Sequence, residues 1–344
     1  MTGVNYHSTC DISTIERSKW HDYVMHHPHG NVFQTPEMYQ VLLLSDRIKP
    51  FAIFCLSGSD ICGVAVLAVH SQYGGPPGRL TARAIMTGGP LVNNDDPDIV
   101  MCLLDQADKI LRGTSIYLEI RNLFDTATYK GTFSQSGFES EPHLNILIDL
   151  RQGEDQLWKN LHPTRRKQIS RSRRRSVTVR SEKSIDEKTV IECYSLLKGV
   201  YIKAHLPLES QEFFISSVTT LSGFGLLRIF LAEADSKIIG FRFILCYRDT
   251  LYDWYAASDE SYLDRYPNDL LPWEVMAKGV EEGYSIFDFG GAGRPGAKYG
   301  VRDFKLKFGG ALVNFGRYRK VYDPILFFII SRIFRFYRKI FRSE

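Results

Sequence analysis

Several things are scarce or missing in this sequence, and each absence narrows what the chain can be. Its six cysteines (10, 55, 62, 102, 193 and 246) show no CxxC spacing, so neither a disulfide framework nor a zinc-ribbon-type site organises it. Buried thiols in a reducing cytoplasm are expected, and no bridge is expected between Cys55 and Cys62. No apolar run approaches the ~20 residues that a membrane-crossing helix needs. The opening MTGVNYHSTCDIST has no basic segment followed by an apolar core, so no secretory signal is expected there. His21, His26, His27 and His29 have no cysteine or carboxylate at ligand spacing, and Pro28 breaks any helical face, so this is a polar turn and no metal is expected. No Ser-His-Asp or Cys-His set stands out, which argues against a covalent enzyme intermediate.

What remains is the composition of a globular protein, with 44% hydrophobic and 24% charged residues, long enough for one large core or two domains. Thr35 before Pro36 reads as the cap of a short helix. Phe51–Leu56 and Ile61–Val69 around Ser57–Asp60 read as a hairpin, and Tyr73–Gly78 as a breaker cluster. Apolar residues at helical spacing predict a helix over Ile99–Leu111, followed by strands at Ile116–Ile120 and Asn145–Leu150. The second half repeats that order. Helices are expected over Asp186–Ala204, Ser210–Leu221 and Pro267–Gly283, and strands over Gly225–Glu233, Ile238–Tyr247, Leu251–Ser258 and Ile286–Phe289, with a return strand near Ala311–Phe315. Two matching α/β layers would leave a cleft between them, where binding sites are common. Alternation puts Asp253 and Tyr255 on one face of the Leu251–Ser258 strand, with Tyr255 looking into the cleft.

Between the halves the net charge of +4 concentrates. Arg165, Arg166, Lys167, Arg171, Arg173, Arg174, Arg175 and Arg180 follow one another with no acid until Glu182. As a helix this run is polar nearly all round and is expected to stay unburied. Without interleaved aromatics it suits phosphate contact better than base stacking, so Arg165, Arg166, Lys167 and Arg171 are candidate RNA or phosphate ligands. A solvated face at a domain boundary is the alternative.

Phe287-Asp288-Phe289-Gly290-Gly291 is a buried strand handing a carboxylate to a glycine-rich loop, which also carries Arg294, Lys298, Arg302, Lys305 and Lys307. Such a loop can hold an anionic substrate over a reacting centre. Lys305 is expected at an oxyanion or a phosphate, with Phe304 and Tyr299 shaping the pocket. Asp288 either orients an amine or the loop, or is a structural cap. Near the end, Ile325–Arg342 is aromatic and aliphatic on one side, with Arg332, Arg335, Arg338, Lys339 and Arg342 crowding the other. This suits lying in an anionic membrane interface, and docking on the protein is the alternative.

The run Asp288-Phe289-Gly290-Gly291, a variable loop, then Phe304-Lys305-x-x-Phe308-Gly309-Gly310 resembles the C-terminal signature of the Fem family, aminoacyl-tRNA-dependent transferases that build peptidoglycan cross-bridges. Further markers fall in order: Phe33-Gln34-Thr35, Gly137-Phe138, Leu157-Trp158-x-x-Leu161, Gly240-Phe241, Tyr252-x-x-Tyr255-Ala256-Ala257-Ser258, and Asn268-x-Leu270-Leu271 with Gly283-Tyr284. The resemblance implies an α/β fold of two tandem GNAT-like (acetyltransferase-like) subdomains with a central cleft. Residues 1–150 plus 315–344 would form the first and 151–314 the second. Lys305 and Asp288 are the candidate catalytic residues, and Tyr255, Asn268, Arg294, Lys298, Tyr299, Phe304 and Lys307 the candidate substrate-binding ones. The donor would be aminoacyl-tRNA and the acceptor a lipid-linked muropeptide, with no cofactor. The enzyme would be a cytoplasmic monomer at the inner face of the plasma membrane. Met38-Tyr39-Gln40-Val41-Leu42 lacks the basic residue of relatives that bind a nucleotide-linked muropeptide, and Glu119, beside Arg121, is the nearest acid to the family's first-subdomain aspartate. The phosphate loop of coenzyme A users, Q/R-x-x-G-x-G/A, is not found at a strand-to-helix junction. An acyltransferase acting on an envelope polysaccharide or lipid from acyl-CoA or an acyl carrier, and a non-catalytic RNA- or membrane-binding protein, are the other readings.

Overall fold

The computed structural model describes residues 6–71, 78 and 80–340, and the chain divides into two compact units, 1–141 with 315–344, and 142–314. Residues 73–77 of the expected breaker cluster and residues 341 and 342 of the tail lie outside the described residues.

The first unit runs β1 (Tyr6–Thr9), α1 (Arg17–His26), α2 (Pro36–Leu42), β2 (Ile48–Ser57), β3 (Asp60–His70), β4 (Arg83–Thr87), β5 (Leu91–Val92), α3 (Pro97–Leu111), β6 (Tyr117–Arg121), α4 (Lys130–Gln135) and β7 (Glu139–Glu141). Local chemistry sets these boundaries. Thr35 Oγ1 accepts from Met38 N at 3.1 Å, with Pro36 opening α2. Asp96 caps α3 ahead of Pro97. Ile99, Val100, Leu103, Leu104, Ala107 and Leu111 then form one buried stripe along α3.

The second unit runs β8 (Leu144–Asp149), α5 (Glu154–Asn160), α6 (Pro163–Arg174), β9 (Thr178–Glu182), α7 (Glu187–Lys203), α8 (Gln211–Gly223), β10 (Leu227–Ala234), β11 (Lys237–Tyr247), β12 (Thr250–Ser258), α9 (Pro267–Glu281), β13 (Ile286–Gly293), α10 (Gly300–Leu306) and β14 (Ala311–Val313). The chain then returns through β15 (Arg317–Val321) to the first unit and ends in α11 (Pro324–Ile340).

One sheet has the order β1-β2-β3-β4-β6-β15-β7, with β5 on β3, and the other β14-β8-β13-β12-β11-β10-β9. Each joins its antiparallel hairpins to one parallel pair, β4 with β6 and β12 with β13, reached through a helix. The expected boundary at 150 is therefore corrected. Leu144–Asp149 pairs with β13 and β14, which makes it a strand of the second sheet.

The glycine-rich segment is not one long loop. β13 continues through Gly293 by two register shifts against β8, a turn follows, and α10 begins at Gly300. Phe287, Phe289, Phe308, Trp273 and Ile244 are buried in the core of this unit, each contributing roughly 1.5–3 kcal/mol by leaving water. That core fixes the end of β13 and the approach of α10, where the candidate site lies.

The polar cluster at residues 26–29 is structural. His27 Nε2 lies 2.9 Å from the Val92 carbonyl, and the His29 ring stacks on Phe124 at 4.2 Å. Cys62 Sγ donates to the Cys55 carbonyl, and both thiols are free.

Candidate active site

β12 and β13 pair only where Thr250–Tyr252 meets Ile286–Asp288. Beyond that point β12 stays with β11 as far as Ser258, and β13 stays with β8 as far as Gly293, so the two strands part. Parting leaves backbone groups without ladder partners. Lys305 Nζ, reached from α10, donates to the Phe289 carbonyl and lies 3.5 Å from the Gly291 carbonyl. An ammonium has three donors, so one N–H remains for a substrate oxygen. Gly290, at φ +78°, turns the strand here, in a backbone conformation that side chains resist.

Charges converge on this point. The Phe289 ring centroid lies 5.1 Å from Lys305 Nζ and 5.2 Å from the Arg242 guanidinium. Arg242 Nη1 donates to both carboxylate oxygens of Asp253 at 2.6 Å. Burial lowers the pKa of Lys305 and Arg242 adds to the lowering, while Asp253 and Asp288 oppose it. On β13, Phe287 and Phe289 enter the core and Asp288 alternates to the other face. The Asp288 carboxylate accepts from Gly290 N at 2.8 Å and is hydrogen-bonded by Asn145. Burial nevertheless pushes Asp288 up to about 6. A lysine made easier to deprotonate beside an acid made harder to ionise is an arrangement suited to proton transfer near neutrality.

Tyr255 is not part of this group. Phe243 pairs with Tyr255 and Ile244 with Asp253, so Trp254 is an extra residue that interrupts the alternation. The expectation that Asp253 and Tyr255 share a face is thereby overturned. Asp253 goes with Arg242, while the Tyr255 ring packs on Phe214 at 4.8 Å and on Tyr201 at 6.5 Å.

The other candidates scatter. Tyr299 lies over Gly293, where an added Cβ would meet its ring at 3.0 Å. Asn268 Oδ1 accepts from Ser258 Oγ at 2.8 Å. Arg294 and Lys298 are exposed in the turn, which Arg302 stitches by donating to the Arg294 carbonyl at 2.9 Å and to that of Ala297. The Phe304 ring lies 4.7 Å below the Arg165 guanidinium and packs on Phe308 at 5.4 Å. Lys307 is half-buried and helps hold down Asp269, which burial pushes up.

The basic run is not uniformly unburied, nor is it free of acids. Arg165 is buried and paired with buried Asp269 of α9. Arg173 pairs with Glu274 at 2.9 Å and Arg175 with Asp264 at 2.7 Å. Arg166 Nη1 donates to the carbonyls of Lys159 at 2.7 Å and Leu161 at 2.9 Å, ending α5. Asp269 and Glu274 come from α9 and Asp264 from the turn before it, all distant in sequence, so local sequence hid the pairing. Lys167 is exposed and Arg171 half-exposed on α6. Sequence reading missed Arg242, Asp253 and Asn145. The available signal was Arg242 itself, a lone charge in the apolar strand Phe241-Arg242-Phe243-Ile244-Leu245.

Residues 163–306 match the model of the acetyltransferase (GNAT) domain. FemX, in its crystal structure, superposes with a TM-score of 0.72 at 16% identity, covering 92% of this chain and 98% of its own. The C-terminal domain of a lysylphosphatidylglycerol synthetase from Agrobacterium fabrum gives 0.55 at 16% identity, covering 89% of this chain and 91% of its own. A tandem GNAT protein from the clavulanic acid biosynthesis pathway gives 0.57 at 12% identity, covering 93% of this chain and 99% of its own. No curated protein sequence matches the chain. The fold is thus the tandem GNAT arrangement seen in FemX.

Proposed function

We propose that this chain is an acyl-transferring enzyme of cell-envelope assembly, an aminoacyltransferase that moves an amino acid from aminoacyl-tRNA to the peptide amine of a membrane-bound, lipid II-like peptidoglycan precursor. The observation that carries this reading is Lys305 held on the Phe289 carbonyl where β12 and β13 part, with Asp288 beside it. The acceptor amine attacks the aminoacyl ester carbon. A C–N bond forms, the ester C–O bond breaks, and the amine proton passes to the Asp288 carboxylate and on to the departing ribose oxygen. The free N–H of Lys305 stabilises the oxyanion of the tetrahedral intermediate. Arg242 keeps Asp253 neutralised nearby. Exposed Lys167 and half-exposed Arg171 support contact with tRNA phosphates.

Membrane contact is assigned to α11. Ile325, Phe328, Ile329 and Ile333 are exposed at helical spacing, and 324–342 holds no acid. Among the described residues no helix is long and apolar enough to cross a membrane. We place the enzyme on the cytoplasmic side of the plasma membrane, where its donor is made.

A second reading, an acyltransferase using acyl-CoA or an acyl carrier on an envelope glycan or lipid, draws on the acetyltransferase match over 163–306. The test supplies purified protein with labelled aminoacyl-tRNA and a lipid-linked muropeptide, alongside mass spectrometry of muropeptides with and without the gene. RNase-sensitive transfer and an altered cross-bridge are expected. Transfer from acyl-CoA without tRNA selects the second reading, and an unchanged envelope with no transfer from either donor overturns both.

A further inference from the structure

The first sheet carries a group of charges that the transfer chemistry does not use. β6 pairs with β15 so that Glu119 stands opposite Arg319, and Arg121 opposite Arg317. Arg121 Nε donates to Glu119 at 2.8 Å, Arg317 Nη1 at 3.2 Å and Arg319 Nη2 at 2.7 Å. Arg319 also reaches Glu141 at 3.2 Å. The register continues this face outward. Glu119 and Arg121 lie level with Ile85 and Thr87 on β4, and Arg83, two residues before Ile85, pairs with His70 on β3. The opposite face of the sheet is apolar, with Leu118, Ile120 and Tyr318 buried.

Counted together, four guanidiniums face three carboxylates, Glu119, Glu141 and the exposed Glu139 opposite Arg319 on β7, which leaves one positive charge uncompensated on one sheet face. Arg83 has no carboxylate partner among the described residues, and Arg319 Nε is buried without an acceptor. Burial and Arg121 bring Arg317 down to about 10, and burial, Arg83 and Arg121 hold His70 neutral down to about pH 4. Burial is the larger cause in both, and the neighbouring guanidiniums add to it. The face also lies at the root of α11. Phe327 packs edge-on against Tyr117 at 5.6 Å, and Arg319 lies over both rings.

We propose that Arg83, Arg121, Arg317 and Arg319 form an anion site for a phosphate or pyrophosphate group. Guanidinium forks match phosphate oxygens in geometry, and a bound anion would offset the remaining positive charge. The proposal deepens the transferase reading by putting a phosphate on the acceptor, next to the helix assigned to the membrane. Its test reads binding rather than transfer, so it fails or stands separately.

The full chain is titrated with inorganic pyrophosphate by calorimetry, and sedimented with phosphatidylglycerol vesicles against phosphatidylcholine vesicles. Saturable pyrophosphate binding is expected, weakened by about tenfold in both Arg121→Gln and Arg83→Gln. Arg83 has no carboxylate to lose, so Arg83→Gln keeps the test valid should Arg121→Gln unfold. Loss of vesicle binding together with pyrophosphate binding identifies a lipid headgroup as the source of the phosphate. Loss of pyrophosphate binding alone identifies a phosphate outside the bilayer. No saturable binding by the wild type, or equal binding by wild type and Arg83→Gln, overturns the proposal.

Discussion

The two sheets repeat one plan, and their parallel pairs end differently. In the first, β4 and β6 stay paired from Ala84–Leu118 to Thr87–Arg121, and Gly88 N then bonds the Arg121 carbonyl at 2.8 Å. In the second, β12 and β13 separate after Tyr252 and Asp288, and a lysine takes the freed carbonyl. The chemistry differs in the same way. Burial pushes Glu119 up, but Arg121, Arg319 and Arg317 bring it down to about 2, so it is a fixed charge. Burial pushes Asp288 up to about 6, which its backbone and amide donors and Lys305 only partly oppose. The closed pair of strands is ringed by arginines around one ionised acid, whereas the open pair sets a lysine among two acids, Asp288 and Asp253.

Breaking the scaffold around the open pair gives the largest effect. Asp269→Ala strands buried Arg165 and removes the clamp above Phe304, costing about 3–5 kcal/mol, read by urea melts. Next comes the closed side. Glu119 falls from 4.5 to about 2 on folding, so it adds stability fully above pH 4.5 and loses it as pH falls towards 2. Glu119→Gln should remove about 3 kcal/mol at neutral pH and flatten that acid limb in melts followed against pH.

Asp288 has the opposite sign. Its pKa rises from 3.8 to about 6, so its contribution is present below pH 3.8 and is lost as pH rises through 6. Asp288→Asn should therefore gain about 2–3 kcal/mol above pH 6, while the rise in transfer rate through that pH disappears. The smallest effect sharpens the contrast from outside both sheets. Ile329→Glu on α11 should weaken sedimentation with anionic vesicles about tenfold and leave transfer to a soluble acceptor unchanged.

Much of the frame was legible in the sequence because its signals are local. Thr35-Pro36 announced α2, the alternation around Ser57–Asp60 announced the first hairpin, and the apolar stripe from Ile99 to Leu111 announced α3. A strand, a carboxylate and glycines in succession marked the end of β13, where the structure places Asp288 and brings Lys305 to the Phe289 carbonyl. What stayed hidden depended on partners distant in sequence. Arg165 looked solvated until α9 brought Asp269 to it, and Asp253 looked like a neighbour of Tyr255 until a bulge at Trp254 sent them to opposite faces. The boundary near 141 was missed because Leu144–Asp149 reads as a strand in either sheet, and only pairing assigns it to the second.

The central claim is that transfer occurs where β12 and β13 part. Single-turnover transfer of a labelled aminoacyl group to a muropeptide amine, compared between the wild type and Lys305→Ala, tests it most directly. A rate lower by about 10²–10³-fold, with an unchanged melting temperature, is the predicted result. Equal rates in the two proteins would contradict it.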